Sequence, residues 1–273
     1  MHEFEQEISE AAGLLLKTGK AAAFCGSGIS AESGIATFRD PGGIWDRIDP
    51  MEFGTPEGFI GALDRNPGVF ISIFFELLDM FEKAECNPGH KVLADLENRG
   101  VLGSVITQNV DNLQSEAGSA HIIELHGNLF RMICLSCGKK KMYERKPFIR
   151  DLKEKIDLLS DRCLASLFTL VPTCDDCGSI TRPDVVLFGE TVQELPRAYH
   201  AARDCAAMLV LGTSGAVYPA AALPYEAKER GAPIIVINPN ENAFEDIADV
   251  YIPMKTGVAL PLLLKKLKEI GDS

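Results

Sequence analysis

No apolar run in this 273-residue chain reaches the roughly 18 residues that a membrane-spanning helix needs. A basic surplus is missing too: Lys and Arg total 27 against 39 Asp and Glu, a net charge of −12. That balance argues against a nucleic-acid-binding surface and suits a cationic partner such as a lysine-bearing peptide. Residues 1–10 are acidic and lack the basic-then-apolar pattern of a leader. A cytoplasmic protein is therefore expected. Disulfides are uncommon in that setting, so the eight cysteines point to metal or catalysis. Disorder is excluded, because 46 % of residues are apolar and both charge signs are mixed along the chain. The length suffices for one large or two modest domains with a real core.

Four cysteines are paired at close spacing. Cys134 and Cys137 form one Cys-x-x-Cys knuckle, trailed by Gly138; Cys174 and Cys177 form another, trailed by Gly178. Four thiolates from two such knuckles match the closed tetrahedral site of structural zinc, which holds structure and does no chemistry. The competing reading is four unrelated thiols. Cys25, Cys86, Cys163 and Cys205 lack paired spacing and read as buried apolar residues. The basic stretch 139–146 between the knuckles reads as a solvated face.

The rest alternates strands with helices. Residues 8–16 have apolar positions at helical spacing, closed by Gly19. Residues 21–24 are an apolar strand, followed by Gly26-Ser27-Gly28-Ile29-Ser30-Ala31. Gly26, Gly28 and Ala31 fit the G-x-G-x-x-G/A pattern of a phosphate-cradling turn, though plain turns fit it as well. A dehydrogenase would show a second strand ending in an acidic residue about 20 positions on; the corresponding region has no strand pattern. Residues 40–66 are rich in Gly, Pro and Asp and read as a long mobile loop. Residues 69–81 read as a buried helix or as one lining an apolar tunnel, and residues 90–98 as a further helix. Strands are expected at 103–106, 122–125, 206–211, 234–237 and 250–252, with helices at 219–230 and 260–270. The fold class is therefore α/β: a doubly wound parallel sheet, Rossmann-like, with a small inserted zinc-binding module. The sheet is assigned to residues 1–130 and 180–273, the zinc module to 131–179, and a mobile cofactor-binding loop to 40–66.

The stretch 107–128 is the chemical centre. After the strand 103–106 come Gln108, Asn109, Val110 and Asp111, and after the run 122–125 comes His126-Gly127-Asn128. Ligands of α/β sheets sit at the carboxyl ends of strands, so an amide pair, a carboxylate and an imidazole would meet at one sheet edge. Histidine suits proton transfer near neutral pH. A polar loop with a capping histidine is the alternative.

Together these motifs resemble the sirtuins, NAD-dependent protein-lysine deacylases, over nearly the whole chain. The residues G-S-G-I-S-A-E-S-G-I-A-T-F-R, T-Q-N-V-D, E-L-H-G-N, the two knuckles, V-V-L-F-G-E, G-T-S and I-N-P follow in that family's order. The resemblance implies that Gly26, Ser27, Gly28, Ala31, Phe38 and Arg39 contact NAD. Gln108, Asn109, Val110 and Asp111 would face its ribose and nicotinamide amide, with Asn109 and Asp111 counted with His126 as catalytic. Gly212, Thr213, Ser214 and Asn238 would hold the adenosine half. Val186 and Phe188 would flank the acyl-lysine, with the backbone there pairing the peptide as an added strand.

The implied reaction begins when the acyl oxygen attacks the ribose carbon as the nicotinamide bond breaks. His126 then acts as general base on a ribose hydroxyl, which attacks the imidate carbon. Water releases free lysine and O-acyl-ADP-ribose. The implied co-substrate is NAD, the metal Zn2+, and the partner an acyl-lysine protein or peptide, with no nucleic acid or membrane. The chain departs from the family pattern at Ser27, Ala36, Asn112, Gln114 and Gly215, where Ala, Pro, Gly, His and a bulkier residue are usual. Family members that prefer acidic acyl groups carry a Tyr and an Arg that align here with Phe74 and Leu77, so acidic acyl groups are expected to be poor substrates. Two other classes use the same pocket: an NAD glycohydrolase or ADP-ribosyltransferase, and a non-catalytic NAD-sensing module.

Overall fold

A computed structural model describes residues 4–37, 49, 54–160 and 164–271. Six strands form one parallel sheet: β1 (Ala21–Cys25), β2 (Leu102–Thr107), β3 (Ile122–Glu124), β7 (Met208–Leu211), β8 (Ile234–Ile237) and β9 (Val250–Ile252), in the order β3-β2-β1-β7-β8-β9. The central strands β1, β7 and β8 are buried at every position, so they read as continuous apolar runs rather than alternating ones. Ala21, Ala23 and Cys25 face one core, with Ile8, Leu15, Leu93 and Leu263. Ala22 and Phe24 face the other, with Ala198, Leu223 and Phe244. Helices Glu5–Thr18, Pro88–Asn98 and Thr256–Gly271 cover the first face, and Leu195–Asp204 and Leu223–Glu229 the second. The chain winds outward from β1 in both directions. The switch point, where such sheets bind ligands, therefore lies between the carboxyl ends of β1 and β7.

A second, antiparallel sheet has the order β5-β4-β6, from β4 (Gly127–Cys134), β5 (Lys140–Met142) and β6 (Thr181–Val185). Helix Arg145–Asp157 comes after β5. It packs against helix Pro67–Lys83 through two apolar clusters, one holding Phe70, Ile71 and Ile156, the other Leu78, Phe130 and Ile149. Lys153 bonds Asp79 and Glu82 across the same seam, and Arg150 bonds Glu82. Of the apolar run 69–81, Phe70, Ile71 and Leu78 are thus buried, Val69 is exposed, and none of the run is among the described residues lining the cavity at the strand ends.

Two expectations are corrected. The stretch 40–66 is not a loop throughout: residues 56–65 form the helix Pro56–Arg65, started by Thr55, whose hydroxyl accepts from Gly58 N at 3.1 Å. The remainder of that stretch, apart from Asp49, Gly54, Thr55 and Asn66, lies outside the described residues. The basic stretch 139–146 is not wholly a solvated face either. Arg145 is only 3 % exposed and donates to Glu116 at 2.8 and 2.6 Å, to Ala84 O at 3.0 Å and to Phe81 O. A buried guanidinium needs such partners, and carbonyls at a helix end supply them.

Candidate active site

The loops after β1 and β7 meet backbone to backbone. Gly28 N donates to Gly212 O at 2.8 Å. A Cβ on Gly28 would stand 2.7 Å from Gly212 Cα, and one on Gly212 would stand 2.5 Å from Ile29 N. Gly212 also has φ +56. Phosphate approach is the expected reason for glycine here; the geometry adds a second, that glycine lets the two loops close on each other. Gly26 leads into a single 3-10 segment, Ser27–Ser33, rather than an α-helix.

These loops wall a cavity of about 640 Å³. Its lining includes Gly26, Ser27, Gly28, Ala31, Gln108, Asn109, Val110, His126, Val186, Phe188, Gly212, Thr213, Ser214 and Asn238, all of them candidates from the sequence. Glu32, Leu129, Tyr218, Asn240, Glu241 and Lys255 line it as well. Gln108 Nε2 donates to Thr213 Oγ1 at 3.2 Å, and Asn238 Nδ2 to Thr213 O at 3.0 Å, so strand ends β2, β7 and β8 are tied together. Phe38 and Arg39 lie outside the described residues.

His126 sits in the corner between β3 and β4. Its Nδ1 is 3.0 Å from Gln108 O. A carbonyl only accepts, so Nδ1 carries the proton and Nε2 keeps its lone pair. Burial holds the imidazole below its ordinary pKa, and the Gln108 bond opposes this in part. The ring is therefore a neutral base at neutral pH. Gly127 makes the corner possible: it has φ +79, and a Cβ there would stand 1.9 Å from Asp184 O.

Asp111 is 3 % exposed and does not line the cavity. Its Oδ2 accepts from Ser30 Oγ at 2.7 Å and its Oδ1 from Leu113 N at 2.9 Å. Burial raises its pKa, while those two bonds lower it. Asn109 Nδ2 donates to the same Ser30 Oγ at 3.2 Å. His90 completes the group. Its Nδ1 accepts from Asn87 N at 3.3 Å, so Nε2 bears the proton and points at Ser30 Oγ, 3.3 Å away. Ser30 and His90 were not candidates from the sequence. Ser30 lies inside the glycine motif; His90 carries no local signal beyond its place in the first turn of helix Pro88–Asn98.

Burial lowers His90 from 6.5 to about 4. An unfolded imidazole takes up its proton near 6.5 and the folded one only near 4. Between these values the unfolded chain binds more protons, so stability should fall as pH drops through that window. Urea unfolding across the window is expected to show this slope, and His90→Asn to flatten it. An unchanged slope in the variant would assign it to other groups.

The run after β6 already uses its N–H groups. Val186 N donates to His126 O at 2.9 Å, Leu187 N to Glu190 Oε2 at 3.0 Å and Phe188 N to Gly54 O at 2.7 Å. An added peptide strand would therefore meet carbonyl oxygens here, or displace one of those contacts. Phe74 and Leu77 are not among the described lining residues. Phe74 instead stacks on Phe70, with ring centroids 6.4 Å apart.

The four knuckle cysteines converge, all their Sγ atoms lying within 4.8 Å of one another. Cys134 and Cys177 Sγ are 3.5 Å apart, and Cys137 and Cys174 Sγ 3.7 Å. Tetrahedral zinc with Zn–S near 2.3 Å requires sulfurs about 3.8 Å apart. Gly138 and Gly178, at φ +72 and +69, close the two knuckles. The donor set fits structural zinc with no open position.

The sequence profile of the Sir2 family matches residues 26–219. A protein of Desulfosudis oleivorans named NAD-dependent protein deacylase is 53 % identical over 266 residues, covering 97 % of each chain. One of Thermococcus kodakarensis with the same name is 43 % identical, covering 96 % of each. A structure described as the basis for mechanism and regulation of Sir2 enzymes superposes with TM-score 0.77 at 39 % identity, covering 97 % of this chain and 99 % of that one. A Sir2 variant with deacetylated p53 peptide and 3′-O-acetyl ADP ribose superposes with TM-score 0.75 at 31 % identity, covering 95 % and 98 %.

Proposed function

The chain belongs to the Sir2 family, and from that premise we propose that it removes acetyl groups from protein lysines with NAD as co-substrate. It is an NAD-dependent protein deacylase, and its products are nicotinamide, O-acyl-ADP-ribose and free lysine. One observation supports this reading above the others: His126, a neutral base oriented by Gln108 O, shares a single cavity with the glycine loops at the switch point.

Each part of the cavity takes a role. Gly26, Ser27, Gly28 and Ala31, with Gly212, Thr213, Ser214 and Asn238, hold NAD. Asn109 and Gln108 face its nicotinamide half, and Asp111 orients Asn109 through Ser30. Polar groups fixed in a partly closed cavity stabilise the positive charge that builds on the ribose carbon as nicotinamide leaves. His126 Nε2 takes the proton of a ribose hydroxyl, whose oxygen then bonds the imidate carbon. Water adds to that carbon, and the lysine amine leaves with a proton. Val186 and Phe188 flank the acyl-lysine stem. Incubation with NAD and an acetyl-lysine peptide should give all three products together. Nicotinamide and ADP-ribose without free lysine would instead support a glycohydrolase.

Among the described lining residues Lys255 is the only lysine or arginine. It comes after β9, at the opposite sheet edge from β3, which leads into His126. Leu129, Val185, Val186 and Val192 give the described lining an apolar share, with Val185 paired to Gly127 next to His126. Against this described lining a succinyl carboxylate would lose its water without gaining a cation, a cost of several kcal/mol by rough estimate. Apolar chains gain about 0.8 kcal/mol per buried CH₂. On one peptide, kcat/KM is therefore expected to be high for acetyl and butyryl and low for succinyl. Succinyl as the best substrate would overturn this assignment.

A further inference from the structure

We propose that Asn112 is a positioning residue for His126, acting through the hydrogen bond between its side-chain amide and that of Asn128. The proposal rests on the assignment of His126 as general base.

The loop 108–112 and the corner 126–129 are stitched together by three bonds. His126 Nδ1 donates to Gln108 O at 3.0 Å, Leu129 N to Val110 O at 3.0 Å, and Asn128 Nδ2 to Asn112 Oδ1 at 3.0 Å. The first of these aims the catalytic ring, and the third holds the far end of the loop that supplies it. Asn112 has φ +68, a left-handed conformation that Asn and Gly adopt far more readily than other residues. Glycine would satisfy the backbone there and leave Asn128 without this partner. Asn112 does both.

The amide pair is held at each side by an ion pair. Asn112 Nδ2 donates to Glu116 Oε1 at 3.3 Å, and Glu116 is gripped by the buried Arg145. Asn128 Nδ2 also donates to Glu124 Oε1 at 2.7 Å, and Glu124 bonds Arg131, which reaches Asp184 on β6 at 2.6 Å. Arg145 begins the helix Arg145–Asp157, and Asp184 lies on β6, paired with Asn128 on β4. The Asn112–Asn128 link therefore joins the NAD-facing loop to strand β4 at the point where His126 is mounted.

Asn112→Gly isolates the side chain, because glycine keeps the left-handed backbone. One net hydrogen bond is worth roughly a five-fold change in an equilibrium or rate. Deacylation kcat is expected to fall by about that factor, roughly five-fold, with KM for NAD and nicotinamide exchange unchanged. Exchange reports the step before His126 acts, so a merely structural defect would lower both. In an Asn128→Ala background, Asn112→Gly should add no further loss, since the bond is already gone. Equal losses in exchange and deacylation, unchanged deacylation, or full additivity would each overturn the proposal. An unaltered protein that exchanges nicotinamide without releasing lysine would overturn the deacylase reading instead, a separate result.

Discussion

Replacing His126 with alanine is expected to lower deacylation by roughly 10²–10⁴-fold, the usual worth of a general base. NAD should still bind, because the glycine loops and the Gln108–Thr213 tie do not involve the imidazole. Nicotinamide exchange should suffer less than deacylation, since the base acts after the first bond breaks. The pH profile of the unaltered protein should agree. Burial holds His126 below its ordinary value, so the unprotonated base persists as pH falls below that value, and the acid limb of kcat/KM should lie correspondingly low. Steady-state deacylation and isotope exchange on the same preparation test this. A variant that deacylates normally would place the base elsewhere.

The second large effect is on the metal. One zinc per chain is expected by native mass spectrometry, and its removal, or Cys174→Ser, should abolish activity while sparing most of the parallel sheet. Zinc affinity in such sites is folding free energy, roughly 10–16 kcal/mol in small zinc-finger peptides. The knuckles carry little apolar core of their own: Cys137 and Cys177 are exposed, and β5 is exposed throughout. Without metal, four thiols would crowd at 3.5–3.7 Å with only weak bonds among them. Strands β4 and β6 should then fray. Their other ends hold Gly127 and Val185, paired with each other beside His126. Hydrogen exchange should show lost protection across 127–185 and retained protection in β1, β7 and β8. An apoprotein that is protected in β4 and fully active would refute the assignment.

The parallel sheet was legible because its signal is local. The runs A-A-A-F in β1, M-L-V-L in β7 and I-I-V-I in β8 are buried on both faces, so their continuous apolar character survives in the sequence. The knuckles were legible because ligand spacing within each Cys-x-x-Cys is local too. What was not legible depends on contacts between distant residues. Ser30 meets His90 and Asp111 from positions 60 and 81 residues away. Arg145 looks like one more cation in a basic stretch until Glu116 and the carbonyls of Phe81 and Ala84 close around it. Helix Pro56–Arg65 was hidden by its three glycine and proline residues, Pro56, Gly58 and Gly61, although Thr55-Pro56 is itself an N-terminal signal. Likewise, the composition of Val186 and Phe188 showed apolar surface but not that their N–H groups were already spent.

The glycine contact between the β1 and β7 loops restricts how this site could change. Gly26, Gly28 and Gly212 face one another so closely that a single methyl group on any of them would meet atoms at 2.5–2.7 Å. No side chain can be introduced there to retune the recognition of the nucleotide, whatever selection or design demands. A preference for a different dinucleotide must instead be written at the periphery, on the loop after β8 where Asn240 and Glu241 line the cavity, or at Lys255 beyond β9. The centre of the site behaves as a fixed die, and its rim is the part on which variation can act.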